Sequence, residues 1–524
     1  MARWLRIFLI SLLAITMLFV ALVLSTNYLI KQKIENFLDY RLPSYITHTN
    51  SSIKLNSFEG TITINNPVVN IKNQEDNTLH TKIDLDKIII EDVSYWDYIF
   101  KNEIHIEDIK LLKPNILYYK DVFNKAKERD TTSSIIKIFK PFIIDELSID
   151  NTTLYIYNQS KDSLLLYVEE GMVEIDDIVI NAETITKKIP ATFKNYEFKA
   201  DSIFLKANNF ENLTTSKIKL KNKDAIIKNI KFQTKYSRKT LSNIIKKERD
   251  HFNLNIDSLN LTQVDFGFKN RKLFVKTRAI NINEPNLNIF RDKLVADDLS
   301  IKKLYSHSLR DIPFNLTIDS IKINKGKIDY TEKVKVENNG GQIEFKNFNA
   351  TITNVSNTYN SPVKTTLDIT GYFMDVTPFK ANWTFDVNNK NDDFVFKMDM
   401  DALEFPRINE FTEPNLKVRF KGKTNKMYFT IDGNKTKSTV DMKVNYQDLE
   451  INILNKNGNQ KKWLLSKIAN LFVSKDSKDK DNDFREAITD VERDQTKSVF
   501  NFIWLNTKQG LLKSMTGDGE KQEK

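Results

Sequence analysis

The chain has 524 residues, 79 Lys and Arg against 69 Asp and Glu, 13 Gly, 11 Pro and no Cys. The missing Cys excludes a disulfide scaffold, a thiol nucleophile, iron–sulfur sites and Cys-based zinc sites, and the low Gly and Pro exclude a collagen-like or wholly disordered chain. A net charge of +10 suits contact with acidic lipid headgroups, but acidic residues are interleaved nearly everywhere, so there is no nucleic-acid footprint.

Arg3 and Arg6 precede an apolar run from Ile7 to Leu24, broken only by Ser11 and Thr16. As a helix the run is about 27 Å long, close to a hydrocarbon core of ~30 Å, and Trp4 and Tyr28 suit its two interfaces. Residues 1–30 are read as one retained transmembrane anchor; a signal peptide cut near Val23 and Ser25 is the alternative. Basic residues flank both ends, so orientation follows from reading the run as an uncleaved export signal, which places the rest of the chain outside the cytoplasm. Lys31–Tyr40 reads as a short amphipathic helix with Ile34, Phe37 and Leu38 on one face, ended by Pro43.

From there to about residue 455 the pattern has period two, as in Thr61-Ile62-Thr63-Ile64, Lys217-Ile218-Lys219-Leu220 and Asp441-Met442-Lys443-Val444. Such alternation predicts strands with one dry and one wet face, normally antiparallel. A longer pattern recurs inside it: apolar residues at zero, plus three, plus five, plus ten and plus twelve. The copies are Ile106, Ile109, Leu111, Ile116, Tyr118; Ile144, Leu147, Ile149, Leu154, Ile156; Ile256, Leu259, Leu261, Phe266, Phe268; and Ile318, Ile321, Ile323, Ile328, Tyr330. The step of three signals a bulge. The gap before plus ten holds turn residues, so each copy predicts a bent strand, a tight turn and a return strand. The uneven spacing of the copies argues against a propeller or a strict solenoid and for a long meander, each strand pairing with the next. Few helices are expected as a cover: Tyr95–Phe100, Ser133–Phe139 and Leu241–Lys247 are all short. The apolar face is then either a filled core or an open trough.

Thr81-Lys82-Ile83-Asp84-Leu85, then Tyr95-Trp96-Asp97-Tyr98-Ile99-Phe100, then Ile104-His105-Ile106-Glu107-Asp108-Ile109-Lys110-Leu111 and Pro114-Asn115-Ile116-Leu117-Tyr118 resemble, in this order, the N-terminal region of AsmA-like proteins, relatives of TamB. The resemblance is carried by residues 1 to about 120, continues in style to about 330 and is loose over 360–515. It implies a protein of the inner membrane of a diderm bacterium, single-pass through residues 7–24, with its body in the periplasm. It also implies similarity to bridge-like lipid-transfer proteins, whose curved sheets form hydrophobic grooves. No catalytic residue carries over.

Residues 361–455 stay β-like. Trp463, Leu464, Ile468, Leu471 and Phe472 then fall at helical spacing. Ser474–Asp483 reads as a solvated charged linker, Phe484, Ile488 and Val491 as a helical face, and Lys497–Met515 as a helix too short to span a bilayer. These amphipathic helices, within 456–517, either plug an open end of the sheet or lie in a membrane interface through Trp463, Phe500, Trp504 and Leu505. Residues 518–524 read as a disordered tail.

The five histidines are scattered, with no HExxH, GxSxG, Walker loop or strand-borne GxGxxG. Gly340-Gly341 reads as a hairpin turn. No catalytic, metal or cofactor site is expected, and the chain is not read as an enzyme. The expected architecture is mostly β: a transmembrane helix (1–30), an AsmA-like β region (31–130), a continuing β-meander or groove (131–455) and C-terminal helices, the sheet being long, curved, antiparallel and open. The expected function is sheltering or moving phospholipid acyl chains along a groove lined by repeat positions such as Ile109, Leu111, Ile149, Leu259, Leu261, Ile321 and Ile323. The alternative is a scaffold or assembly factor for outer-membrane proteins, with an envelope protein docking at the C-terminal end.

Overall fold

The computed structural model describes residues 2–40, 42–73, 76–120, 140–454, 473–477 and 483–516. It is mostly β, and the chain divides into two compact units, Met1–Ala207 with Thr214–Asn222 and Asn208–Leu213 with Lys223–Lys524. The first begins with one continuous helix, α1 (Ala2–Tyr40), which joins the expected anchor and the expected short helix Lys31–Tyr40. The side chains of residues 2–15, 19 and 22 lie outside those described; among the described residues no helix is long and apolar enough to cross a membrane.

Strands of the first unit are β1 (Ile46–Thr49), β2 (Ser52–Asn56), β3 (Thr61–Asn65), β4 (Val68–Lys72), β5 (Leu79–Asp84), β6 (Lys87–Val93), β7 (Ile104–Leu112), β8 (Asn115–Tyr119), β9 (Phe142–Tyr157), β10 (Leu164–Ile180) and β11 (Tyr196–Lys206). Next comes β12 (Glu211–Lys221), whose first residues belong to the second unit. The second unit continues with β13 (Asp224–Thr234), helix α2 (Arg238–Ile244), β14 (Asp250–Thr262), β15 (Asp265–Lys269), β16 (Lys272–Asn283), β17 (Asn286–Asp292) and helix α3 (Tyr305–Arg310). Then follow β18 (Asn315–Lys333), β19 (Gly341–Ser356), β20 (Thr365–Phe373), β21 (Thr377–Phe385), β22 (Phe394–Met400), β23 (Leu403–Glu404), helix α4 (Phe405–Leu416), β24 (Val418–Gly433), β25 (Lys437–Ile453), β26 (Arg485–Glu492) and helix α5 (Val499–Thr516).

The pairing corrects the expected antiparallel meander. β7 and β8 both run parallel to β9, and β16 and β17 both run parallel to β18. Successive segments therefore lie end to end along one neighbour, and the return strand expected within each copy is absent, although most other pairings are antiparallel. The repeat is one long strand with a kink, and the kink falls at plus seven in every copy. Lys113, Asn151, Gln263 and Lys325 all have left-handed backbone, with φ of 50°, 54°, 54° and 52°. The turn-like residues of the gap were legible as backbone breakers, but a single left-handed residue bends a strand without reversing it.

The step of three is not the expected bulge, because the pairing register runs unshifted across it in all four copies. Ile106 with Ile109, and Ile144 with Leu147, belong to one apolar cluster although three residues apart.

Two C-terminal expectations change. Arg485–Glu492 is a strand on the edge of β25, with buried Ala487 and Val491 alternating with exposed Glu486, Ile488 and Asp490. Residues 473–477 are not a solvated linker: Ser477 is buried, and its Oγ accepts from Tyr446 N at 3.1 Å. Residues 133–139, 455–472 (Trp463 included), 478–482 and 517–524 lie outside the described residues.

Candidate functional site

Cross-strand partners point to the same face of a sheet, so the pairing register assembles rows of side chains. In the first unit one row reads Leu55, Ile62, Ile90, Ile109, Leu147, Ile175, Tyr196 and the next Ile53, Ile64, Ile88, Leu111, Ile149, Val173, Phe198. Beyond the kinks the rows resume as Val69, Ile83, Ile116, Leu154, Val168, Ile203. Few of these side chains are buried. The cluster around Ile106, Ile144 and Ile178 has only those three fully buried members among the described residues, while Ile109, Leu147 and Ile175 are half-buried. That cluster is packed within the plane of the sheet, and no residue of a described helix belongs to it.

The second unit shows the same face in two conditions. One row runs Ala225, Leu261, Ile280, Ile321, Ile352, Leu367, Trp383, Phe396, Ile431, Val440 across ten strands. From Leu261 to Leu367 its members are half-buried; Trp383 and Phe396 are buried, and Ile431 and Val440 are 0% exposed. The change follows the cover. α5 lays Val499 and Phe502 on the core of β21, β22, β24 and β25, and Leu304, just before α3, and Phe405 of α4 join the same cluster. The filled-core reading thus holds for the stretch from Trp383 on, while from Leu261 to Leu367 the same face is half-buried.

All seven residues expected to line a groove sit on such rows. Ile109, Leu111 and Ile149 lie on the two rows of the first unit; Leu261 and Ile321 share the long row of the second; Leu259 and Ile323 share the row beside it through Ile282. All seven are half-buried. Of the expected interface residues, Phe500 and Trp504 are exposed on α5, whereas Leu505 packs on the core. The buried face of α5 fits the plug reading. α4, part of that plug, escaped sequence reading because Pro406 and Pro414 obscure its helical period.

The opposite, polar face of the second unit holds an open depression of about 660 Å³. It is floored by the row Lys322, Thr351, Asp368, Asn382, Lys397, Thr430, Asp441. Two of its carboxylates are engaged: Asn382 Nδ2 donates to Asp368 Oδ1 at 2.7 Å, and Lys426 Nζ lies 2.6 Å from Asp399. Asp399 and Asp401 hold the Lys426 ammonium well above its ordinary pKa. Nothing there pairs a nucleophile with a base.

The histidines are engaged separately. His105 lies between Asp97 and Asp145, His251 bonds Tyr236 O, and His307 lies between Asp311 and Asp392. Among the described residues no group of three or more His, Asp or Glu is arranged to hold a metal ion.

No protein-family model matches the chain, and no curated protein matches it.

Proposed function

We propose that the chain is a membrane-anchored envelope protein that shelters or transfers phospholipid along the apolar face of its kinked sheet. Residues 7–24 would hold it in the inner membrane and the body would occupy the periplasm. The observation that supports this reading is the long row of the second unit. The sequence keeps it apolar from Leu261 to Val440, yet the described helices pack only on the cluster that holds its last four members, from Trp383 on. A soluble fold gains nothing from half-buried isoleucines repeated over so many strands; they are a surface for something apolar. Acyl chains fit, because each methylene withdrawn from water contributes about 0.8 kcal/mol. A uniform aliphatic lining also keeps that gain constant along the path, so a chain slides without falling into a trap. The resemblance to AsmA-like proteins points the same way. The polar face and the separately engaged histidines support no competing chemistry.

A photo-crosslinking residue placed at Ile109, Leu147 or Leu261 of the full chain in bacterial membranes tests the proposal. Adducts with labelled phospholipid are expected at all three. Adduct levels no higher than at Lys397, on the polar face, would overturn it, and adducts with protein instead would favour the assembly-factor alternative.

A further inference from the structure

After β6 the chain enters a short helical turn, Tyr95–Lys101, of which Asp97–Lys101 is π-helical. Its apolar side chains face solvent: Trp96 is 66%, Ile99 67% and Phe100 65% exposed, and Tyr95 and Tyr98 are exposed as well. The Trp96 and Phe100 rings lie 4.1 Å apart between centroids.

This presentation is held in place from below. The Asp97 carboxylate, nearly inaccessible to water, takes Lys101 Nζ at 2.8 Å and His105 Nδ1 at 2.7 Å, and Ser94 Oγ accepts from Asp97 N at 3.2 Å. Lys140 Nζ lies 3.4 Å from the Tyr98 ring centroid and donates to Tyr98 O at 2.7 Å. A polar network thus fixes a turn whose outward side is aromatic and aliphatic, with two lysines at its rim. That composition matches the headgroup zone of a bilayer, where Trp and Tyr rings sit at the polar boundary and lysines meet acidic headgroups.

Its position in the unit agrees. The loop between β2 and β3 binds α1: Ser57 N donates to Asn27 Oδ1 at 2.6 Å and Ser57 Oγ to Val23 O at 3.4 Å. Those α1 residues mark the end of the apolar run 7–24. The same loop carries Phe58, 73% exposed, and its Gly60 O accepts from Val93 N at 3.2 Å, two residues before Tyr95. The end of the apolar run, Phe58 and the aromatic turn therefore gather at one end of the unit.

We infer that the Tyr95–Lys101 turn is a second membrane contact, inserting Trp96, Ile99 and Phe100 into the interface of an anionic bilayer beside the point where α1 leaves it. The turn would set the distance and tilt of the first unit over the lipid surface, bringing the start of its aliphatic rows to the headgroups. This goes beyond the groove reading and requires only that residues 7–24 lie in the membrane.

The chain has no Cys, so Phe100→Cys and Val336→Cys each give the full chain a single site for an environment-sensitive fluorophore. Both proteins are reconstituted into vesicles of phosphatidylethanolamine with phosphatidylglycerol, and into phosphatidylcholine vesicles. At position 100 in the anionic vesicles, emission shifts to shorter wavelength, nitroxide-labelled lipid quenches it and aqueous iodide does not. At position 336 iodide quenches and the lipid nitroxide does not. Iodide quenching at position 100 equal to that at 336 would overturn the inference. So would shielding from both quenchers, which means that protein covers the turn. Equal lipid quenching in phosphatidylcholine vesicles would overturn the choice of an anionic surface. The crosslinks at Ile109 and Leu261 are read separately, so either proposal can fail alone.

Discussion

Ser438 Oγ donates to Asn506 Oδ1 at 2.8 Å inside the second unit, where both residues are buried. Asn506 Nδ2 in turn donates to Phe502 O at 2.9 Å. The bond fixes the roll of α5 on β25, and the close approach continues one turn on, where a Cβ on Gly510 would meet Met442 Cε at 2.9 Å. Asn506→Ala removes the acceptor and leaves a buried hydroxyl poorly satisfied, at a cost of about 1–3 kcal/mol. The expected readout is a lower urea midpoint with the slope unchanged. Replacing both partners, Ser438→Ala with Asn506→Leu, should recover much of the loss, because neither polar group is then stranded. A double variant no more stable than the single one would show that the pair is not coupled.

The kinks give a second prediction. A left-handed conformation costs an L-residue roughly 1–2 kcal/mol, and β-branched residues tolerate it least. Gln263→Val and Lys325→Val should each lower stability by about that amount, whereas glycine at either position should change it by less than about 1 kcal/mol, since relief of strain is offset by chain entropy. Thermal unfolding of the full chain checks both. Equal melting temperatures for the Val and Gly variants would mean that the bend is not set by those residues.

The same kinks mark how far the sequence could be read. The period of two placed the strands, and the plus-three, plus-five, plus-ten, plus-twelve spacing located residues that the register does collect into rows. Ile321 and Ile323 before Lys325, and Ile328 and Tyr330 after it, each face apolar partners on both neighbouring strands. What spacing could not reveal was whether the chain turned back or ran on, because Asn324-Lys325-Gly326 serves either purpose and only pairing with Glu284–Asn286 and Asn347–Asn349 decides. Phe484, Ile488 and Val491 misled for a related reason: they suit a helix in isolation, but the cross-strand pairs Lys443 with Glu486 and Thr439 with Asp490 draw the segment onto β25.

A third prediction concerns Glu211. Its side chain is buried, and Arg249 Nη2 reaches its two oxygens at 2.7 and 2.6 Å. The guanidinium lies 4.1 Å from the Phe210 ring centroid, so the pair also closes one side of an aromatic stack. Glu211→Ala strands the cation beside Thr234 and Phe210. Breaking a buried pair costs ~3–5 kcal/mol; because Arg249 keeps some access to water the lower figure is expected. Glu211→Gln retains an acceptor and should cost clearly less. Urea midpoints of the two variants against the parent measure the difference, and equal losses would show that charge plays no part.

The final prediction is a pH dependence at the base of the aromatic turn. Hydrogen bonds from Lys101 first, then His105, hold the Asp97 carboxyl down at about 2. The Asp97 bond first, then that to Asp145, raises the His105 imidazole above its ordinary 6.5. A raised histidine stabilises the fold below its unfolded value and loses that contribution as pH climbs through the folded one; a depressed carboxyl stabilises above its unfolded 3.8 and loses it as pH falls towards 2. The cluster therefore stabilises the turn most between about pH 4 and about pH 6.5. His105→Gln should abolish that share. The parent chain is expected to gain more melting temperature than the variant on going from about pH 9 to about pH 5.5, with the remaining carboxylates and lysines common to both. Equal gains would mean that His105 carries no proton in the pair, and that the turn is held by Lys101, Ser94 and Lys140 without it.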